Sequence, residues 1–127
     1  MDSFGFAKLV VGDLEKTASF YKAVFGLTEQ ARVDSAIDGR VIREILFKPT
    51  APGGATLVLL TFPDMPDPVS SEVILGFTTA DMSALLERTR IAGGTIVEEA
   101  ARRPEHGVTV AFVRDVEGHL IEIVQPL

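Results

Sequence analysis

The stretch DVEGHLIEIVQ, Asp115 to Gln125, is a turn running into a β-rich segment with one carboxylate at its centre, and its reading governs the rest of the chain. Side chains alternate between faces along a strand, so Leu120, Glu122 and Val124 share one face and His119, Ile121 and Ile123 share the other. Glu122 therefore stands between two apolar neighbours. If that face points inward, the carboxylate lies in an apolar hollow, where loss of water disfavours its charge and a partner or ligand is wanted. Whether such a hollow exists depends on what the remaining segments build.

Working outward, Gly107 to Arg114 and Thr95 to Glu99 read as strands before it, with the polar run RRPEHGV between them holding Arg102, Arg103 and His106 in a loop. Upstream, Asp81 caps a helix whose Met82, Leu85, Leu86 and Thr89 share a face, and Gly93 and Gly94 stop it. Glu72 to Thr79 precedes that helix as a strand. The first half of the chain has the same order. Phe4 to Val11 reads as a strand, Asp13 as an N-cap, and Leu14, Ala18, Tyr21 and Phe25 recur at helical spacing up to the stop at Gly26.

Three further β-rich runs follow, at about Thr28 to Val33, Arg40 to Phe47 and Ala55 to Phe62, separated by the turn-forming DSAIDG and PTAPGG. The Pro-rich FPDMPDPV, Phe62 to Val69, reads as a linker between the halves. The same interval separates Asp13 from Asp81 and Gly26 from Gly94, as an internal repeat requires. Two βαβββ units, about residues 4–62 and 71–125 of one α+β domain, are the result. One helix covers only one face of each sheet, so two curved mixed sheets, turned towards each other or towards a partner chain, are expected to leave inner faces that enclose a cleft, with Glu122 pointing into it.

Composition narrows the function. A chain of 127 residues, 46% hydrophobic, has the length of one domain and no apolar run long enough to span a membrane. The N-terminal MDSFGFAKLVVGD has no basic segment ahead of an apolar one, so a cytoplasmic site is expected. The absence of cysteine excludes disulfides, thiolate metal sites and cysteine nucleophiles. Twelve Lys and Arg against eighteen Asp and Glu give a net charge of −6, which disfavours nucleic acid as a partner. No nucleotide-binding loop or serine triad is present in the sequence.

At this level the chain resembles the vicinal oxygen chelate superfamily, which includes glyoxalase I, extradiol dioxygenases, fosfomycin-resistance enzymes and bleomycin-binding resistance proteins. The resemblance rests on VVGDLEKTASFYKAVFGL, Val10 to Leu27, similar to the family's first strand and helix with its aromatic pair and terminal Gly. It rests equally on DVEGHLIEIVQ, similar to the family's turn into an apolar strand with a central Glu. What it implies is a glyoxalase-like fold, a homodimer, and four inward positions that in metal-dependent members ligate one divalent metal. Placed by their turns, those positions are Phe6, Leu59, Leu75 and Glu122, of which only Glu122 is a donor. His106 and His119 lie elsewhere. The family's glutathione-holding Arg is matched by Val10, so no metal or other cofactor and no glutathione substrate is expected.

Counting alternate residues from those positions gives the expected inner walls: Phe6, Lys8 and Val10; Leu57, Leu59 and Thr61; Val73, Leu75 and Phe77; Leu120, Glu122 and Val124. Such mostly apolar walls with few polar groups suit a small, mostly apolar molecule. Glu122 then has three readings: a general base in a metal-independent lyase or isomerase, an anchor for a bound ligand, or a silent relic paired with Lys8 or another cation. In the run REILF, either Arg43 or Glu44 turns inward. A binding or sequestering protein is the leading expectation, and the metal-independent enzyme its alternative; a metal-dependent lyase or dioxygenase requires ligands from other positions.

Overall fold

The computed structural model describes residues 1–69 and 73–127. The element order is β1 (Phe6–Val10), α1 (Leu14–Phe25), β2 (Glu29–Ile37), β3 (Arg40–Phe47), β4 (Thr56–Thr61), β5 (Leu75–Thr78), α2 (Met82–Ile91), β6 (Thr95–Arg103), β7 (Val108–Arg114) and β8 (Leu120–Pro126). The strands form two four-stranded mixed sheets, in the orders β1-β4-β3-β2 and β5-β8-β7-β6. The sequence-level reading of two βαβββ repeats is therefore the observed topology. The chain divides into two compact units: Met1–Lys22 with Gly26–Val69, and Ala23–Phe25 with Ser70–Leu127.

Each unit is built by the same local devices. Asp13 lies in extended backbone before α1, and its side chain accepts from the Lys16 amide at 3.0 Å, satisfying one orphan donor of the first turn. Gly26 ends the helix in the left-handed region at φ 67°, where a Cβ would be strained. In the second unit Asp81 caps α2 through the Ala84 amide at 3.0 Å. The second interval of the repeat is looser there: the C-cap of α2 is Ala92, with Gly93 at φ 90° just beyond it.

Several boundaries differ from expectation for identifiable reasons. The strand expected at 28–33 runs on to Ile37, because two residues, Asp38 (φ 52°) and Gly39 (φ 73°), suffice to reverse the chain. Aspartate and glycine both tolerate positive φ, and this geometry matches the twist of a hairpin. Likewise β6 continues to Arg103, so Arg102 and Arg103 are strand residues paired with Thr109 and Val108, and His106 sits exposed in a single 3-10 turn. The strand expected from Glu72 is observed at Leu75–Thr78, and Glu72 itself lies outside the described residues.

The core of the first unit lies between α1 and one face of its sheet. From the helix, Thr17, Ala18, Phe20 and Tyr21 are buried; from the sheet, Leu9, Ile45, Phe47 and Leu59, with Val11 just beyond β1. Full burial of one such large side chain contributes roughly 1.5–3 kcal/mol. The second unit buries Leu85, Leu86 and Thr89 of α2 together with Ala111, Val113, Ile121 and Ile123. Phe77, expected on an inner wall, instead stacks on Phe25 at 3.8 Å within this unit.

Candidate functional site

Register shows which residues share a face. β1 and β4 are parallel, with Phe6 opposite Thr56, Lys8 opposite Val58 and Val10 opposite Leu60. Opposed residues project to the same side of a sheet, so one face carries Phe6, Lys8 and Val10 with Thr56, Val58 and Leu60, the last two buried. Leu57 and Leu59 pair with Ala7 and Leu9 instead, on the face that α1 covers, and Leu59 is fully buried. The expected inner wall from β4 is thus displaced by one residue. The same displacement recurs in the second unit, where Leu75 and Phe77 pair with Ile121 and Ile123, while Gly76 pairs with Glu122. A one-residue slip moves every side chain of a strand to the other face, and counting from turns could not prevent it.

On the face of the first sheet that carries Lys8, the buried charge of REILF is Glu44. It is opposed by Leu60 and Val33, its side chain is only 7% exposed, and it is ion-paired and hydrogen-bonded to Lys8. Arg43 is exposed. Lys8 therefore pairs with Glu44, the strand neighbour that sequence periodicity left undecided. Desolvating a carboxylate among Ile42, Val58 and Leu60 is costly, and the ammonium offsets that cost.

At the end of the same sheet lies a cavity of about 210 Å³, lined by Val10, Val11, Gly12, Thr61 and by Arg40, with Phe62, Met65, Pro66, Asp67 and Pro68 completing it. Val10 and Thr61 are the two residues of the expected walls that line it. The Pro-rich segment, read as a linker, supplies much of its wall. Gly12 makes the approach of that segment feasible, since a Cβ there would lie 2.8 Å from the Asp67 carboxyl carbon. The Arg40 guanidinium lies over the Phe62 ring at 4.1 Å. Neither Arg40 nor Asp67 forms an ion pair among the described residues.

In the second unit Glu122 is half-buried, opposed by Gly76 and Phe112, with Leu120 and Val124, also half-buried, before and after it on its face. It makes no hydrogen bond or ion pair among the described residues. The turn before it is tied down separately. Asp115 accepts from the Glu117 and His119 amides at 2.8 and 3.0 Å, and its other oxygen lies 2.8 Å from His119 Nδ1. Both residues are buried, so this histidine belongs to the turn that launches β8.

A metal finds no adequate donor set. Of the four positions that the resemblance points to, only Glu122 carries a donor, and shifting two of them by one residue, to Val58 or Leu60 and to Ile74 or Gly76, adds none. Among the described residues no group of three or more His, Cys, Asp or Glu side chains could hold a metal ion. The residues present do not fit the family's metal centre.

Comparison with known proteins places these features. Residues 3–123 match the model of the Glyoxalase/Bleomycin resistance protein/Dioxygenase superfamily. A lactoylglutathione lyase of Arabidopsis thaliana is 29% identical over 121 residues, covering 91% of this chain but 41% of the relative. The chain thus spans about two fifths of the length of the curated relatives it matches. Among solved structures, a glyoxalase family protein from Bacillus cereus superposes with a TM-score of 0.84 at 20% identity, over 98% of this chain and 93% of that one. The fosfomycin resistance protein FosX from Listeria monocytogenes gives 0.72 at 16% identity, over 100% and 95%. At these identities the structural likeness concerns the fold.

Proposed function

The chain belongs to the glyoxalase/bleomycin resistance protein/dioxygenase superfamily, and within it we propose that it is an intracellular protein that binds and sequesters a small, mostly apolar molecule. The observation that carries this reading is the cavity of about 210 Å³ in the first unit, walled by Val10, Phe62, Met65 and prolines and holding few polar groups. Cavities of this composition, with apolar walls and a small number of polar side chains that orient a ligand, are the usual form of small-molecule sites. The apolar residues at the family's ligand positions point the same way. Native mass spectrometry of the purified protein tests it: a co-purified small molecule, lost on denaturation and reduced by Val10→Asp, is the expected result. A protein that carries nothing and takes up no apolar probe overturns the reading.

A second reading rests on Glu122, whose half-buried carboxylate has no partner among the described residues. Such a group is available as a proton acceptor in a metal-independent lyase or isomerase. Glu122→Gln separates the two: an enzyme loses roughly 10²–10⁴-fold in rate with binding kept, whereas a sequestering protein has no turnover to lose. The molecule is further proposed to act as a homodimer. Support comes from apolar side chains left in solvent, Phe4 at 75% and Phe6 at 57% exposure. Light scattering coupled to gel filtration gives twice the chain mass if this holds, and the chain mass if it does not.

A further inference from the structure

The cavity of the first unit holds two opposite charges that do not meet. The Arg40 guanidinium carbon lies over the Phe62 ring, 4.1 Å from its centroid, and Asp67 is packed against the bare Cα of Gly12. Both line the same cavity of about 210 Å³, and neither is ion-paired to any described residue. A guanidinium stacked on an aromatic face keeps its edge N–H groups free for bidentate contact with a carboxylate. A carboxylate at the other side accepts from an ammonium. Opposite charges that share a cavity without neutralising each other form a dipole, and a ligand with the reverse dipole satisfies both.

We propose that this cavity takes a small zwitterion with an apolar side chain, an amino acid or a close amino-carboxylate, its carboxylate on Arg40, its ammonium on Asp67 and its side chain against Phe62 and Met65. A cavity of about 210 Å³ has room for a molecule the size of an amino acid. The proposal rests on the reading of this cavity as the ligand site, and adds the charge pattern of its ligand.

The test is titration calorimetry of the full chain with four probes of one shape: L-leucine, 4-methylpentanoate lacking the amine, 3-methylbutylamine lacking the carboxylate, and neutral 3-methylbutanol. L-leucine is expected to bind at least tenfold tighter than the other three. Arg40→Gln and Asp67→Asn should each remove most of that advantage, with circular dichroism and Tm unchanged. Arg40→Gln should leave the amine's affinity where it was, and Asp67→Asn the acid's. Equal binding of all four probes, insensitive to both substitutions, overturns the zwitterion while leaving an apolar cavity. Acid binding as tightly as L-leucine reduces the site to an anion contact and likewise overturns it. Absence of binding by any probe removes both this proposal and the cavity reading beneath it.

Discussion

The two units share an order of elements and of strands, yet they treat a carboxylate on one sheet face in opposite ways. In the first, Glu44 is 7% exposed and ion-paired to Lys8. In the second, Glu122 is half-buried and has no partner among the described residues. The repeat therefore conserves strand order and N-cap chemistry but not the electrostatics of the faces. A buried charge that is paired has its desolvation offset and is part of the framework; one left unpaired and half-exposed remains available to a ligand or a proton.

The contrast between faces gives the largest expected effect. Leu59 is fully buried on the helix-covered face, so Leu59→Ala should cost about 2–5 kcal/mol in chemical denaturation. Phe6, 57% exposed on the opposite face, should cost under about 1 kcal/mol when truncated to alanine. Equal losses would mean that the faces are not separated as the register requires. The contrast between carboxylates comes next. Lys8→Met strands Glu44 and should destabilise by about 1–3 kcal/mol, below the full cost for a buried pair because the lysine is 33% exposed. Glu122→Gln should shift stability by no more than about 0.5 kcal/mol, since no described partner is lost. A large loss at Glu122 would place it in the framework and end its candidacy as a free base.

The smallest effect concerns a surface cluster of the first unit, in which Arg32 bridges Glu15 and Glu29. The Arg32 guanidinium, and then the Lys22 ammonium, hold Glu29 down to about 2, and Arg32 also lowers Glu15 through contacts of 2.6 and 2.9 Å. Because the folded state holds the Glu29 proton more weakly than the unfolded chain, its contribution is fully present above about pH 4.5. It is lost as pH falls towards about 2. Glu29→Gln should therefore flatten the fall in denaturation midpoint between pH 5 and 2, modestly and less so in high salt, because these groups are exposed. An unchanged acid limb would show that the cluster contributes nothing in solution.

Much of this architecture was legible without coordinates. Asp13 with Gly26, and Asp81 with the glycines that follow its helix, mark helix ends because capping is a local matter of one side chain and one or two amides. Turn residues and alternating apolar runs located the strands to within a few positions. The faces of β4 and β5 were not legible, because their runs, LVLL and LGF, do not alternate polar with apolar residues and either register satisfies the pattern. The choice between Arg43 and Glu44 was open for a related reason: both neighbours are charged, and only the opposition of Glu44 with Leu60, near Lys8, selects one.

The cavity shows the same division. A Pro-rich run such as FPDMPDPV announces that it is neither helix nor strand, and nothing in its order says that it folds back over Gly12. The sequence by itself determined the two βαβββ units with their turns and helix N-caps, since each depends on residue identity at short range. Only the tertiary structure decided which face each strand presents, which carboxylate Lys8 neutralises, and that Arg40 and Asp67 line one cavity. Those outcomes depend on pairings between residues distant in the chain, and such pairings are selected by packing and desolvation of the whole unit rather than by any local pattern.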